Sequence, residues 1–211
     1  MVFRVAILSV GIAVALGCGQ APAPPMTAGG GVGVETPEVG WEAVAVHALS
    51  PEQLDLRGRC LAAANDLMTE TKAELVEALE TGGPAEAIGV CSIRAPEIAA
   101  LVSNRHGVVL GRTSFRVRNP ANIAPDWASA AVAARTEVEQ WYVGPEDRMG
   151  GLLPIRMVTP CLQCHGPVDG IPADIRTAIV ELYPADQAFG FVEGELRGWV
   201  WVEAVPEQRS L

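Results

Sequence analysis

Positive charge is scarce in this chain of 211 residues, and almost none of it is lysine. Lys72 is the single lysine; arginine supplies the rest, and 15 cations stand against 25 acids for a formal net charge of −10. A surface of that sign argues against nucleic acid as a partner and suits solubility or docking on a basic protein. Histidine is almost as rare, with three residues, His47, His106 and His165. There is one Cys-x-x-Cys pair and no His-x-His pair, so a four-ligand zinc site would lack half its donors. No long apolar run follows the amino end, which excludes a transmembrane helix from the rest of the chain. No internal repeat is visible, so the chain does not read as a repeat array.

What is present begins with an export signal. Residues 1–17 carry Arg4 followed by a short apolar run, Val5 to Leu16, too short to span a bilayer comfortably. The run closes on Gly17-Cys18, which resembles a bacterial lipoprotein signal with Cys18 as the lipid attachment residue. The plainer alternative is ordinary export with Cys18 near the cut. Either delivers the chain to the periplasmic side. Residues 18–45 are expected as a flexible tether, because the stretch from Gln20 to Gly40 is rich in Pro, Gly, Ala and Thr and cannot bury enough apolar surface to fold. Residues 46–211 are long enough for one domain with a core.

The chemistry is concentrated in Thr159-Pro160-Cys161-Leu162-Gln163-Cys164-His165-Gly166. Cys-x-x-Cys-His is the attachment signature of a c-type haem. Two thiols three residues apart can form thioethers to the two vinyl groups of one porphyrin, and the next residue can offer an imidazole to the iron. The competing reading is half of a zinc site. Beyond Cys18, Cys161 and Cys164, two cysteines remain, Cys60 and Cys91. In an oxidising compartment these two could pair as a disulfide.

The periodicity predicts a long helix over residues 51–81, opened by a Ser50/Gln53 capping box with Pro51 at its first position and stopped by Gly82-Gly83. A second helix is expected from Pro84 to Cys91 and a third from Pro96 to about Asn104, with His106 near its end read as a cap rather than a ligand. A strand is expected over Val108–Arg118, a helix from Asp126 to about Trp141, and a strand over Leu152–Val158. A helix over Ile171–Leu182 and a closing antiparallel pair, Phe189–Val192 with Gly198–Val205, complete the order. That order is an α+β layout with a small antiparallel sheet. If residues 108–118 form one strand, Arg112, Ser114, Arg116 and Arg118 share a face, and the arginines suit carboxylates such as haem propionates.

Several separated stretches carry a resemblance. They are Ala87-Ile88-Gly89-Val90-Cys91 with Ala95-Pro96-Glu97, and Gly111-Arg112-Thr113-Ser114 with Arg118-Asn119-Pro120-Ala121-Asn122 and Pro125-Asp126-Trp127. Cys161 to Gly166, Tyr183-Pro184-Ala185-Asp186-Gln187-Ala188-Phe189-Gly190 and Gly194-Glu195-Leu196-Arg197-Gly198 complete the set. Together, over roughly residues 52–203, the chain resembles the Tll-type family of c-haem proteins. The resemblance implies a PAS-like fold in which N-terminal helices pack on the sheet around one covalent haem c and its iron. It implies His165 and Cys91 as the axial pair, Cys161 and Cys164 as the attachment thiols, and Arg112, Thr113, Ser114, Arg116, Asn119 and Asn122 as pocket residues. It also implies a redox or small-gas sensor, with a simple electron carrier as the alternative, and leans away from an enzyme. No kinase or cyclase stretch follows the domain, so signalling is expected to use a separate redox or signalling protein as partner.

Overall fold

The computed structural model describes residues 40–207, and the expected signal peptide, Cys18 and most of the expected tether lie outside them. Helix α1 runs Pro51–Thr81, as its periodicity predicts, and both arms of the Ser50/Gln53 capping box are formed. Satisfying two otherwise orphaned N–H groups at the entry fixes where the helix starts. Its buried residues, Leu56, Cys60, Ala63, Ala64 and Leu67, recur at helical spacing and face the sheet.

The next helical stretch differs from the expected pair of broken helices. Helix α2, Gly83–Gly89, passes through a π-helical turn at Val90–Arg94 straight into α3, Ala95–His106. Proline at residue 96 lacks an N–H and crowds the carbonyl four residues back, which in a regular helix would break the rod. The wider turn absorbs this instead: the Ala95 N–H reaches back five residues to the Val90 carbonyl. Gly107 then ends α3 in the left-handed region, at φ 59°.

Five strands make one antiparallel sheet in the order β1-β3-β4-β5-β2. They are β1 (Glu42–Ala43), β2 (Val108–Thr113), β3 (Gln140–Val143), β4 (Met149–Arg156) and β5 (Leu196–Ala204). The central pair β4 and β5 runs from Met149 opposite Ala204 to Arg156 opposite Leu196, with a register shift at Ile155/Arg156. Strand β1 and Trp41, which stacks on Trp127 at 5.3 Å, bring the last part of the expected tether into the fold. Helices α1 and α3 cover one face of the sheet through Val108, Leu110, Met149, Val200 and Val202. Trp127, Ala128, Ala131 and Trp199 fill the other, around the short helix α4, Ser129–Ala133.

Three expected elements are shorter or absent. The strand at residue 108 stops at Thr113, because the Ser114 hydroxyl accepts the Arg116 N–H and bends the chain, so residues 112–118 do not share one strand face. The helix expected to Trp141 ends at Ala133; Arg135 turns left-handed at φ 53°, and Trp141 lies in β3. The closing pair does not form: Phe189–Val192 is irregular, with Gly190 at φ 77°, and β5 pairs with β4 and β2. Gly190 and Phe191 donate instead to the Gly166 and His165 carbonyls, fastening this segment to the cysteine–histidine loop. Helix α6, Ala173–Leu182, forms close to expectation.

Candidate functional site

Between the second half of α1 and the ends of β2, β4 and β5, the packing opens into a cavity of about 370 Å³. Cys91, Cys161, Cys164 and His165, drawn from two stretches about seventy residues apart in sequence, all line it. Cys91 arrives on the π-turn. Cys161 closes a 3-10 turn opened by Thr159-Pro160, and Cys164 and His165 form the short helix α5, Leu162–His165. Arg112, Thr113, Ser114, Asn119 and Asn122 line the same cavity from the end of β2 and the turn after it. Arg116 does not: its guanidinium lies over Phe191 at 4.8 Å and donates to the Phe189 carbonyl at 3.1 Å. The early end of β2 is what turns it away. His106 bonds Asp66 at 2.8 Å on the outer side of α1, in keeping with its reading as a non-ligand.

The donor chemistry of the loop is specific. His165 Nδ1 lies 2.6 Å from the Ala188 carbonyl. A carbonyl can only accept, so Nδ1 carries the proton and Nε2 keeps its lone pair. Burial, and then the guanidinium groups of Arg197 and Arg118, hold the imidazole well below its usual range, so it is neutral at pH 7. Phe191 packs edge-on against the ring at 6.4 Å. Burial also raises the Cys161 and Cys164 thiols, and the nearby Cys91 pushes each further up. These are protonated, unpaired thiols beside a neutral imidazole, and all four described cysteines are free. Cys60 and Cys91 are not joined: Cys60 is sealed in the core under α1 while Cys91 faces the cavity.

The cavity has a charge opposite to that of the chain. Lys72, Arg112, Arg118, Arg156 and Arg197 line it, and no acid among the described residues does. Two of these cations are ion-paired, Arg118 to Asp186 at 3.0 Å and Arg156 to Glu137 at 2.9 Å, and Arg197 donates to the Ser114 hydroxyl at 2.8 Å and the Arg116 carbonyl at 3.2 Å. Lys72 and Arg112 make no hydrogen bond or ion pair among the described residues. Burial and the repulsion of Arg118 and Arg112 bring Arg197 down to about 10, which still leaves it charged at neutral pH. The Thr71 hydroxyl on the same wall is buried without a partner. Cations ranging from the buried Arg118 to the exposed Lys72, with an orphan hydroxyl, facing apolar residues such as Leu75, Ile88 and Ile155, describe a site for a large apolar ligand with an anionic edge.

Sequence reasoning missed Arg197, Lys72 and Met68 as wall residues. Arg197 stood in a stretch read as a turn between two strands. Gly198, beside it, shows the real constraint: at φ 157°, a Cβ there would collide with the Thr113 carbonyl, so the two strands close tightly under the cavity.

Helices α1 and α3 on one face of a five-stranded antiparallel sheet, with the cysteine–histidine loop beside a cavity at its end, define an α+β protein. The chain belongs to the Tll0287-like family, whose model matches residues 43–204. Its fold matches the crystal structure of the cyanobacterial heme protein Tll0287, with a TM-score of 0.52 and 20% identity, over 77% of this chain and 100% of that one. No curated protein matches the chain.

Proposed function

We propose that this protein binds one haem c, which Cys161 and Cys164 would hold as thioether donors and His165 Nε2 and Cys91 as iron ligands, and acts as a redox or small-gas sensor. The convergence of Cys91 with the Cys-x-x-Cys-His loop on one cation-lined cavity carries the reading. The neighbouring structure is that of a heme protein, which agrees with it. When bound, the iron porphyrin would supply a one-electron couple and a coordination position. The chain's own residues account for the rest. Ala188 holds the imidazole in the tautomer that presents Nε2. The partner-free Lys72 and Arg112, with Arg197, face two propionates' worth of negative charge. Arg116 has no part in this, and Arg118 is already occupied.

The sensing element is the π-turn that carries Cys91. A π-turn holds one residue more than a regular turn and can tighten to the α pattern, so a change in the bond to Cys91 has a two-state element to act on. The site works on the periplasmic side, tethered through a lipid on Cys18, which the amino-terminal sequence supports, and reports to a separate protein partner.

Ferric and ferrous absorption spectra of the full-length exported protein beside Cys91→Ala test the proposal. A thiolate-type ferric spectrum lost in the variant, with covalent haem kept and carbon monoxide binding only after reduction, supports sensing. Identical spectra refute Cys91 as ligand, and two ligands retained through both oxidation states indicate an electron carrier.

A further inference from the structure

Arg118 stands apart from the other cavity cations. It is 8% exposed and every polar contact it makes leads to the histidine loop. Its Nε donates to Asp186 Oδ2 at 3.1 Å, and its Nη2 to the Cys164 carbonyl at 2.6 Å and the Ala188 carbonyl at 3.2 Å. Asp186 in turn accepts the Ala188 N–H at 2.8 Å. The Ala188 carbonyl is the group that holds His165 Nδ1.

We propose that Arg118, clamped by Asp186, is the positioning residue for His165, setting both its tautomer and its donor strength through the shared Ala188 carbonyl. This rests on His165 being the haem ligand. Two effects follow from the geometry. The peptide of residue 188 is held at both ends, its N–H by Asp186 and its oxygen by Arg118, so the imidazole has a fixed acceptor. The same oxygen is polarised by a cation, which lowers its power to draw the Nδ1 proton. A carbonyl shared in this way keeps the imidazole close to neutral in character; one freed of the guanidinium makes it more imidazolate-like and a stronger donor to a metal. The pair is buried in a small closed network, so its charges act with little screening. Arg118 therefore serves the loop and not the propionates, and the sharing of cations in the cavity divides into a positioning member and ligand-facing members.

The experiment uses the ferrous holoprotein carrying Cys91→Ala, which leaves the histidine side as the observed bond. The iron–histidine stretching frequency is read by resonance Raman, with a redox titration alongside. Arg118→Gln, which keeps a neutral donor, is expected to raise the frequency and lower the midpoint potential. Arg118→Lys keeps the charge but cannot serve both carbonyls and Asp186 at once, and is expected to fall between. If Arg118→Gln fails to fold, the lysine variant alone carries the test. An unchanged frequency in whichever variant folds overturns the proposal while leaving His165 as ligand. Absence of any iron–histidine band in the Cys91→Ala parent overturns the ligand reading and this inference with it.

Discussion

Helix α1 and the sheet face each other along their length, yet they meet in two different ways. Under the first half of α1, Leu56, Cys60, Ala63, Ala64 and Leu67 join Val108, Leu110, Met149, Val200 and Val202 in one buried cluster. Under the second half, Met68, Thr71, Lys72 and Leu75 look across the cavity towards Arg112, Ile155 and the cysteine–histidine loop. One strand shows the change in three steps, from Val108 and Leu110 in the core to Arg112 in the cavity wall two residues on. The two cysteines of the helical block mark the same division. Cys60, 0% exposed, is pushed from its ordinary 9.0 to about 12 by burial and packs as a small hydrophobe. Cys91, half-buried, opens onto the cavity. A single helix–sheet sandwich thus has a dry half that forms the core and a wet half that opens into the cavity.

The largest effect expected from breaking this division lies in the wet half. If the proposed attachment holds, replacing both Cys161 and Cys164 with alanine is expected to abolish covalent haem, read as complete loss of haem stain on a denaturing gel. Far-UV circular dichroism of the same variant retains the helical signal, because the dry half is untouched. A variant that loses both would mean that the ligand, and not the core, holds the sandwich together.

The dry half responds through stability. Leu67→Ala, at a fully buried position, is expected to cost about 2–5 kcal/mol in denaturant unfolding through lost transfer energy and a cavity. Met68→Ala, one residue on and half-buried between the edge of the same core and the cavity, is expected to cost less, about 1 kcal/mol. Equal costs would erase the distinction between the two halves. Cys60 adds a pH test whose sign is fixed by its raised value. The unfolded thiol ionises from about 9, the folded one only near 12, so stability is full below pH 9 and falls as pH rises through that window. One unit above the unfolded value the loss is about 1.4 kcal/mol. Cys60→Ala flattens that part of the curve; a variant with the wild-type slope places the titrating group elsewhere.

How much of this was legible beforehand follows the same line. The dry half was readable, since α1 and its capping box rest on local chemistry that a sequence displays directly. The donors of the wet half were readable as types, through the Cys-x-x-Cys-His spacing and the family resemblance for Cys91. Their supports were not. The π-turn depends on how one chain absorbs Pro96, and reading proline as a break gave two helices where the structure has one continuous path. The bend after Thr113 turns on a single Ser114 hydroxyl, and it sends Arg116 out of the cavity although simple alternation put it in. Arg197 and Ala188 act through non-local pairing, between β5 and β2 and between residues 188 and 165, which no window along the sequence contains.

The smallest expected effect sharpens the comparison most, because it separates local from global stability. Arg94, the last residue of the π-turn, forks onto Glu74 of α1 at 2.7 and 2.8 Å and also meets Glu97. These groups are exposed, and exposed ion pairs add little to global stability. Arg94→Ala is therefore expected to leave the unfolding midpoint within experimental error. The pair nevertheless ties the π-turn to α1, so its removal lets that turn open on its own more often. Hydrogen exchange read by mass spectrometry is expected to quicken several-fold for amides of residues 90–94 and to stay unchanged for those of residues 56–67. Uniform quickening across both sets would show that the two halves of the α1 interface unfold as one unit, and the π-turn could not then move independently of the core that anchors it.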